Sequence, residues 1–149
     1  MRIVLQNNAQ FNRVSNASVS RTRTCTEQQF RFNAMDAPSP GDRILVLKWC
    51  WLQLILDQRK TMEIRGLALR RGRYFLGFKQ NIYGWVEFGD PQRIVNLQQW
   101  GQLRSRHLVP GVDLPYKRTC GLPILRAKRL REPVPFFHPK GAVGIVRMS

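Results

Sequence analysis

Between Arg59 and Arg65 the chain reads Arg-Lys-Thr-Met-Glu-Ile-Arg, and four of these side chains, Lys60, Thr61, Glu63 and Arg65, are of the types needed to hold a nucleotide. An arginine offers a planar pair of donors to a phosphate or a base edge, and a glutamate accepts from an exocyclic amine. A lysine adds a compact charge and a threonine a hydroxyl. Thr61, Glu63 and Arg65 alternate with Met62 and Ile64, the period of a strand, so the polar set is expected on one sheet face and the apolar pair in the core. The competing reading is a surface ladder in which Glu63 neutralises Lys60 or Arg65, an arrangement that stabilises little.

A splayed base needs an aromatic platform, worth about 1 to 3 kcal/mol per base. Trp49, Trp51, Tyr74, Tyr83, Trp85 and Tyr116 are available, and most are expected in the core. Trp49, at a strand-to-helix turn, and Tyr116, in a stretch broken by proline and glycine, are the two expected to reach a ligand. Three basic runs, Arg70, Arg71 and Arg73, then Lys117 and Arg118, then Arg126, Lys128, Arg129 and Arg131, suit a phosphate backbone passing beside that face. Their plainer reading is a set of solvated faces.

His107 and His138 have no cysteine or carboxylate at metal-ligand spacing, and Cys25, Cys50 and Cys120 form no C-x-x-C pair. Neither a metal site nor a disulfide framework is expected, and no cofactor is implied. This cysteine usage fits a reducing compartment, cytoplasmic or nuclear.

In 149 residues, 25 Lys+Arg stand against 9 Asp+Glu, a formal net charge of +16. A field of that sign concentrates polyanions, nucleic acid first and anionic membrane second, without choosing between DNA and RNA. Hydrophobic content of 43% and aromatic content of 10% indicate a folding chain. The apolar stretch from Ile44 to Leu56 is interrupted by Lys48 and Gln53 and falls short of a membrane span.

The elements that would position these residues start after residue 40. Residues 1–40 are rich in Asn, Gln, Ser, Thr and Arg, with acids only at Glu27 and Asp36, and read as a poorly ordered polar extension. Their Arg- and Ser-rich, acid-poor character also resembles an organelle transit peptide. Pro38-Ser39-Pro40-Gly41 marks the boundary of one domain over 41–149. Ile44–Leu47 suits a buried strand, and Trp51, Leu52, Ile55 and Leu56 follow helical spacing. Arg70–Gly72 reads as a turn before paired strands at Tyr74–Phe78 and Tyr83–Phe88, with Asn81 in their connection. Asn96 can cap a helix from Leu97 towards His107, with Trp100 and Leu103 inward. Val109–Pro123, punctuated by Pro110, Gly111, Pro115, Gly121 and Pro123, reads as a long loop. Final strands at Ile124–Arg129 and Gly144–Met148 would flank a turn-rich segment, Glu132–Gly141. The whole is mostly β with peripheral helices, an α+β class.

The order of these words resembles the ASCH (activating signal cointegrator homology) family: Leu47-Lys48-Trp49-Cys50-Trp51, then Lys60-Thr61-Met62-Glu63-Ile64-Arg65, then Gly72-Arg73-Tyr74, Gly84-Trp85-Val86-Glu87, Pro133-Val134-Pro135 and Lys140-Gly141. The likeness runs from about Ile44 to Met148. It implies a small PUA-like β-barrel with peripheral helices and a cleft, and an association with RNA or modified nucleotides. The pattern often carries glycine where Gln58 stands, at a helix end that favours a left-handed backbone. The tryptophan that many relatives carry after the Tyr116 region is replaced by Gly121 and Leu122, which alters the expected cleft wall.

The resemblance also implies an enzymatic alternative. Some small ASCH proteins hydrolyse acetylated cytidine with a lysine, a threonine and a downstream glutamate. Lys60 matches the lysine, but Glu63 stands at the threonine position, Thr61 lies two residues earlier, and no carboxylate matches the glutamate. Ribonuclease activity is linked to other relatives, although no paired histidines are present to move protons. The expected function is therefore a non-catalytic, monomeric RNA-binding module that uses a basic cleft to take RNA or a nucleotide-like ligand. A hydrolase using Lys60, Thr61 and Glu63 is the alternative, and a ribosome or transcription-cofactor interaction module is a third class.

Overall fold

The computed structural model describes residues 36–149. Residues 1–35 of the expected polar extension lie outside the described residues, and the extension's last part, from Asp36, reaches back to the sheet.

β1 (Arg43–Val46) is followed by α1 (Trp49–Leu56), β2 (Met62–Arg65), β3 (Gly72–Phe78), β4 (Asn81–Phe88) and β5 (Gln92–Ile94). Two short helices, α2 (Leu97–Gln102) and α3 (Arg104–His107), precede the long β6 (Thr119–Pro135) and β7 (Ile145–Arg147). The seven strands form one curled half-barrel in the order β2-β6-β4-β3-β1-β7, with β5 also paired to β6. β1 runs parallel to β3, and the other pairings are antiparallel. The end strands β2 and β7 are not paired with each other, so the barrel stays open along that seam.

Alternation in the sequence sets the faces. Leu45, Tyr74, Leu76, Val86, Phe88 and Leu122 point inward and close over Leu52, Ile55 and Leu56 of α1. On the opposite face Ile44, Phe75, Ile82, Phe136 and Val146 form a second cluster, flanked by Trp85. Met62 and Ile64 pack with Ile94 and Trp100 in a third, as the period of two predicts. Gly84 allows the close approach of α1 and β6: a Cβ there would meet Leu56 Cδ2 and the Lys128 carbonyl, each at 2.5 Å.

Three expectations need correction, and one strand is additional. Asn81 opens β4 instead of lying in the connection, which is a tight turn at Lys79-Gln80. β5 was not foreseen. The expected loop ends at Arg118, because Thr119–Pro123 already pair with β2 and β5. The segment from Glu132 to Pro135, expected to be turn-rich, belongs to β6. Pro123 stands where β6 passes from β2 to β4, and Pro133 lies in a bulge between the paired residues Arg129 and Val134. Pro135 ends the strand. A residue without an amide proton is tolerated at such interruptions.

Asn96 caps α2 as expected, its side chain accepting from the Gln99 amide at 2.8 Å. The helical run towards His107 is split at Leu103 into α2 and α3. At the end of α1, Gln58 has φ +59°, the left-handed conformation for which glycine is the easiest residue. The Arg59 and Lys60 amides then both reach the Leu54 carbonyl, at 2.9 and 3.0 Å, and Lys60 is turned beneath the helix. Gln58→Gly is expected to raise unfolding stability by about 0.5 to 1 kcal/mol, measured by urea denaturation, by relieving that backbone.

Candidate functional site

A cleft of about 250 Å³ opens between the end of β1 and β2. Its lining includes Lys48, Trp51, Lys60, Glu63, Arg65 and Tyr116, with Val109 and Pro115 from the loop after α3. Of the quartet expected on one face, three members meet here. Thr61 does not: it precedes β2, is exposed, and lines a second depression, which Lys60 also lines, with Gln58 and residues 124–128. Its backbone is held by the Arg106 carbonyl and the Ile124 amide, so the strand's alternation starts only at Met62.

Lys60 is the least expected feature, being only 1% exposed. Its ammonium donates to the His107 carbonyl at 2.5 Å, lies 4.9 Å from the centre of the Trp51 ring and sits 3.6 Å from Glu63 Oε2. Burial pushes the Lys60 ammonium below the ordinary lysine value, and Glu63 opposes that fall. Glu63 is itself buried, and its second oxygen lies 3.1 Å from Arg65 Nε. The three side chains together carry one net positive charge at the base of the cleft. They form an ion-pair ladder, buried and not at the surface as the competing reading had it, and they also line the cleft.

Tyr116 forms the outer wall and is 46% exposed. Its ring lies against Gly66, where a Cβ would come within 2.9 Å of Cδ1, so the absence of a side chain there lets the ring reach the cleft. Trp49 is elsewhere, its ring centre 4.9 Å from that of Tyr83 and 5.4 Å from that of Phe78. The tryptophan of the cleft is Trp51, one of the aromatics available for stacking but not one of the two expected to reach a ligand. Lys48 was also missed, although it stands in the same Leu47–Trp51 word. Gly121 and Leu122 pair with Ile64 and Glu63 inside β6 and contribute no side chain to the cleft lining.

The basic runs divide. Arg71 pairs with Asp90, Arg126 with Glu87, Arg129 with Asp57, and both Arg73 and Lys128 with Asp36. Arg70, Lys117, Arg118 and Arg131 are exposed and have no acidic partner among the described residues. Lys117 and Arg118 follow Tyr116 directly in sequence but do not line the cleft, and Arg118 lines a separate depression with Gly66, Pro91 and Arg93. No group of three metal-ligating side chains occurs among the described residues, and no helix among them is long and apolar enough to cross a membrane.

His107 supports the cleft from behind. It is fully buried and stacked on Trp100 at 3.8 Å between ring centres. Nδ1 accepts from the Val109 amide at 2.9 Å, which places the proton on Nε2, 3.2 Å from the Trp100 carbonyl. Burial lowers its pKa from the ordinary 6.5, so the native ring refuses a proton that the unfolded chain accepts. Stability contributed by neutral His107 is complete above that value and is lost as pH falls through it towards the lower native pKa. Urea denaturation is therefore expected to show stability falling as the pH drops below 6.5, and a shallower fall in His107→Gln.

Compared by sequence, the chain matches no family model and no curated protein. Compared by structure, it is similar to an ASCH protein from Zymomonas mobilis. One single-site variant of that protein superposes with a TM-score of 0.59 at 11% identity, over 76% of this chain and 92% of the other. The structure named simply as ASCH gives 0.59 at 10% identity, over 73% and 88%. A second variant gives 0.58 at 10% identity, over 73% and 91%. At such identity the likeness is one of architecture, and it agrees with the half-barrel and the flanking helices. The chain has the fold of these ASCH structures.

Proposed function

We propose that this protein binds single-stranded RNA, or a nucleotide-like ligand, and seats one nucleotide in the cleft without chemically altering it. The observation that carries this reading is the burial of Lys60 beside Glu63 and Arg65 at the cleft floor. Withdrawing an ammonium from water costs several kcal/mol, and an apolar residue of similar volume would serve packing as well or better. A cation kept there at such cost is accounted for by a ligand that needs its field. A cleft of about 250 Å³ is suited to a single base or nucleoside and not to a folded nucleic acid. Tyr116 offers a stacking surface, Glu63 an acceptor for an exocyclic amine, and Arg65 a donor fork. Lys48, Lys117 and Arg118 provide positive charge for the flanking phosphates.

A second reading, hydrolysis of the amide of acetylated cytidine, draws support from the lowered pKa of Lys60, which would make its amine a better base. Against it stand the engagement of that amine by the His107 carbonyl and the placement of Thr61 outside the cleft that Glu63 lines. Under the preferred reading acetylated cytidine is recovered intact after prolonged incubation, as followed by chromatography. Turnover that disappears in Lys60→Ala would establish the hydrolase instead.

Binding to a fluorescent single-stranded RNA is expected to weaken linearly in a plot of log affinity against log salt, with a slope of about −0.7 for each phosphate contacted. A flat plot would reject an RNA-binding role. In Lys60→Met, RNA affinity is expected to fall about tenfold or more while stability stays within about 1 kcal/mol of wild type or rises, since Glu63 keeps Arg65 as partner. A loss of stability with unchanged affinity would make Lys60 purely structural.

A further inference from the structure

On the outer face of the sheet, three donors that take no part in the cleft converge on one carboxylate. Asp36 accepts from Trp85 Nε1 at 2.9 Å and from Arg73 at 3.3 Å, and its other oxygen accepts from Lys128. Trp85 stands opposite Phe75 on β3 and opposite Lys128 on β6, and Arg73 lies two residues before Phe75 on the same face. The Arg73 guanidinium is stacked 4.2 Å over the Trp85 ring. Two cations and an indole N–H are thus fixed by three adjacent strands. Asp36 comes from outside the sheet, just ahead of the Pro38-Ser39-Pro40-Gly41 stretch that leads to β1.

A carboxylate and a phosphodiester carry the same single charge and accept from the same donors. Arg126 lies on the same face, paired to Glu87 at 2.6 Å. We infer that Arg73, Trp85 and Lys128 form a phosphate-binding site for an RNA backbone, and that Asp36 occupies it in cis as a phosphate mimic. The leading segment then restrains binding until a polyanion replaces it. An RNA already held in the cleft competes with the tethered carboxylate on equal terms, because both are then local. The identity of the polyanion rests on the RNA reading of the cleft, whereas the anion site itself does not.

The test is Asp36→Asn in the full chain, repeated with Asp36→Ala in case the amide keeps the contact closed. Single-stranded RNA affinity at low salt is expected to rise about tenfold, with a salt slope steeper by one or two phosphate contacts. Adding Lys128→Gln should return both to the wild-type values. In parallel, the Trp85 indole resonance is followed by ¹H–¹⁵N NMR during titration with inorganic phosphate. It is expected to shift saturably in the Asp36 variants and to stay still in wild type. A saturable shift without any RNA binding would retain the anion site and discard the RNA reading. No shift in either Asp36 variant, or an RNA affinity in both equal to or below wild type, would overturn the inference and leave Asp36 a structural latch.

Discussion

The ammonium of Lys60, withdrawn from water beneath α1, imposes conditions that the elements around it have to meet. A buried cation requires a strong acceptor and a counter-charge. The acceptor is the carbonyl at the end of α3, and the counter-charge is Glu63 on β2. That carbonyl is held in place because the His107 ring is sandwiched against Trp100 and tied to the Val109 amide. Glu63, buried in turn, draws Arg65 over the cleft. The short helices, which bury little surface of their own, are thereby coupled to the barrel mouth through one polar chain of contacts.

The distribution of charge follows the same logic. The acids are too few to balance the bases, and most of the ion pairs they make lie away from the cleft: Asp57 with Arg129, Glu87 with Arg126, Asp90 with Arg71. These exposed pairs contribute little to stability. Lys48 in the cleft lining, and Lys117 and Arg118 next to Tyr116 in sequence, are left without an acidic partner among the described residues.

Much of the fold was legible in the residues. The strand before α1, the hairpin of β3 and β4, the Asn96 cap and the inward Trp100 follow from period and from side-chain capping chemistry, which are local properties. The left-handed turn at Gln58 was legible only through the resemblance, because glutamine itself gives no sign of it. What could not be read depended on partners distant in sequence. β6 runs through three prolines because each sits where the ladder changes partner, bulges or ends, and those places are set by β2 and β4. Thr61 leaves the polar face because the Arg106 carbonyl claims its amide. Trp51 rather than Trp49 enters the cleft, since which face of α1 looks towards it depends on how the helix docks.

The unusual length of β6 has a further consequence. Leu122 stands opposite Glu63 and Lys128 opposite Trp85, so the cleft's carboxylate and the outer-face cation are both indexed to one continuous strand. At the rise of an extended chain those positions are at most about 20 Å apart. A covalent ruler, and not a hinge or a flexible loop, therefore sets the spacing between the two polar centres. Slipping either neighbouring strand by one residue would invert its side chains, which makes that measure resistant to drift.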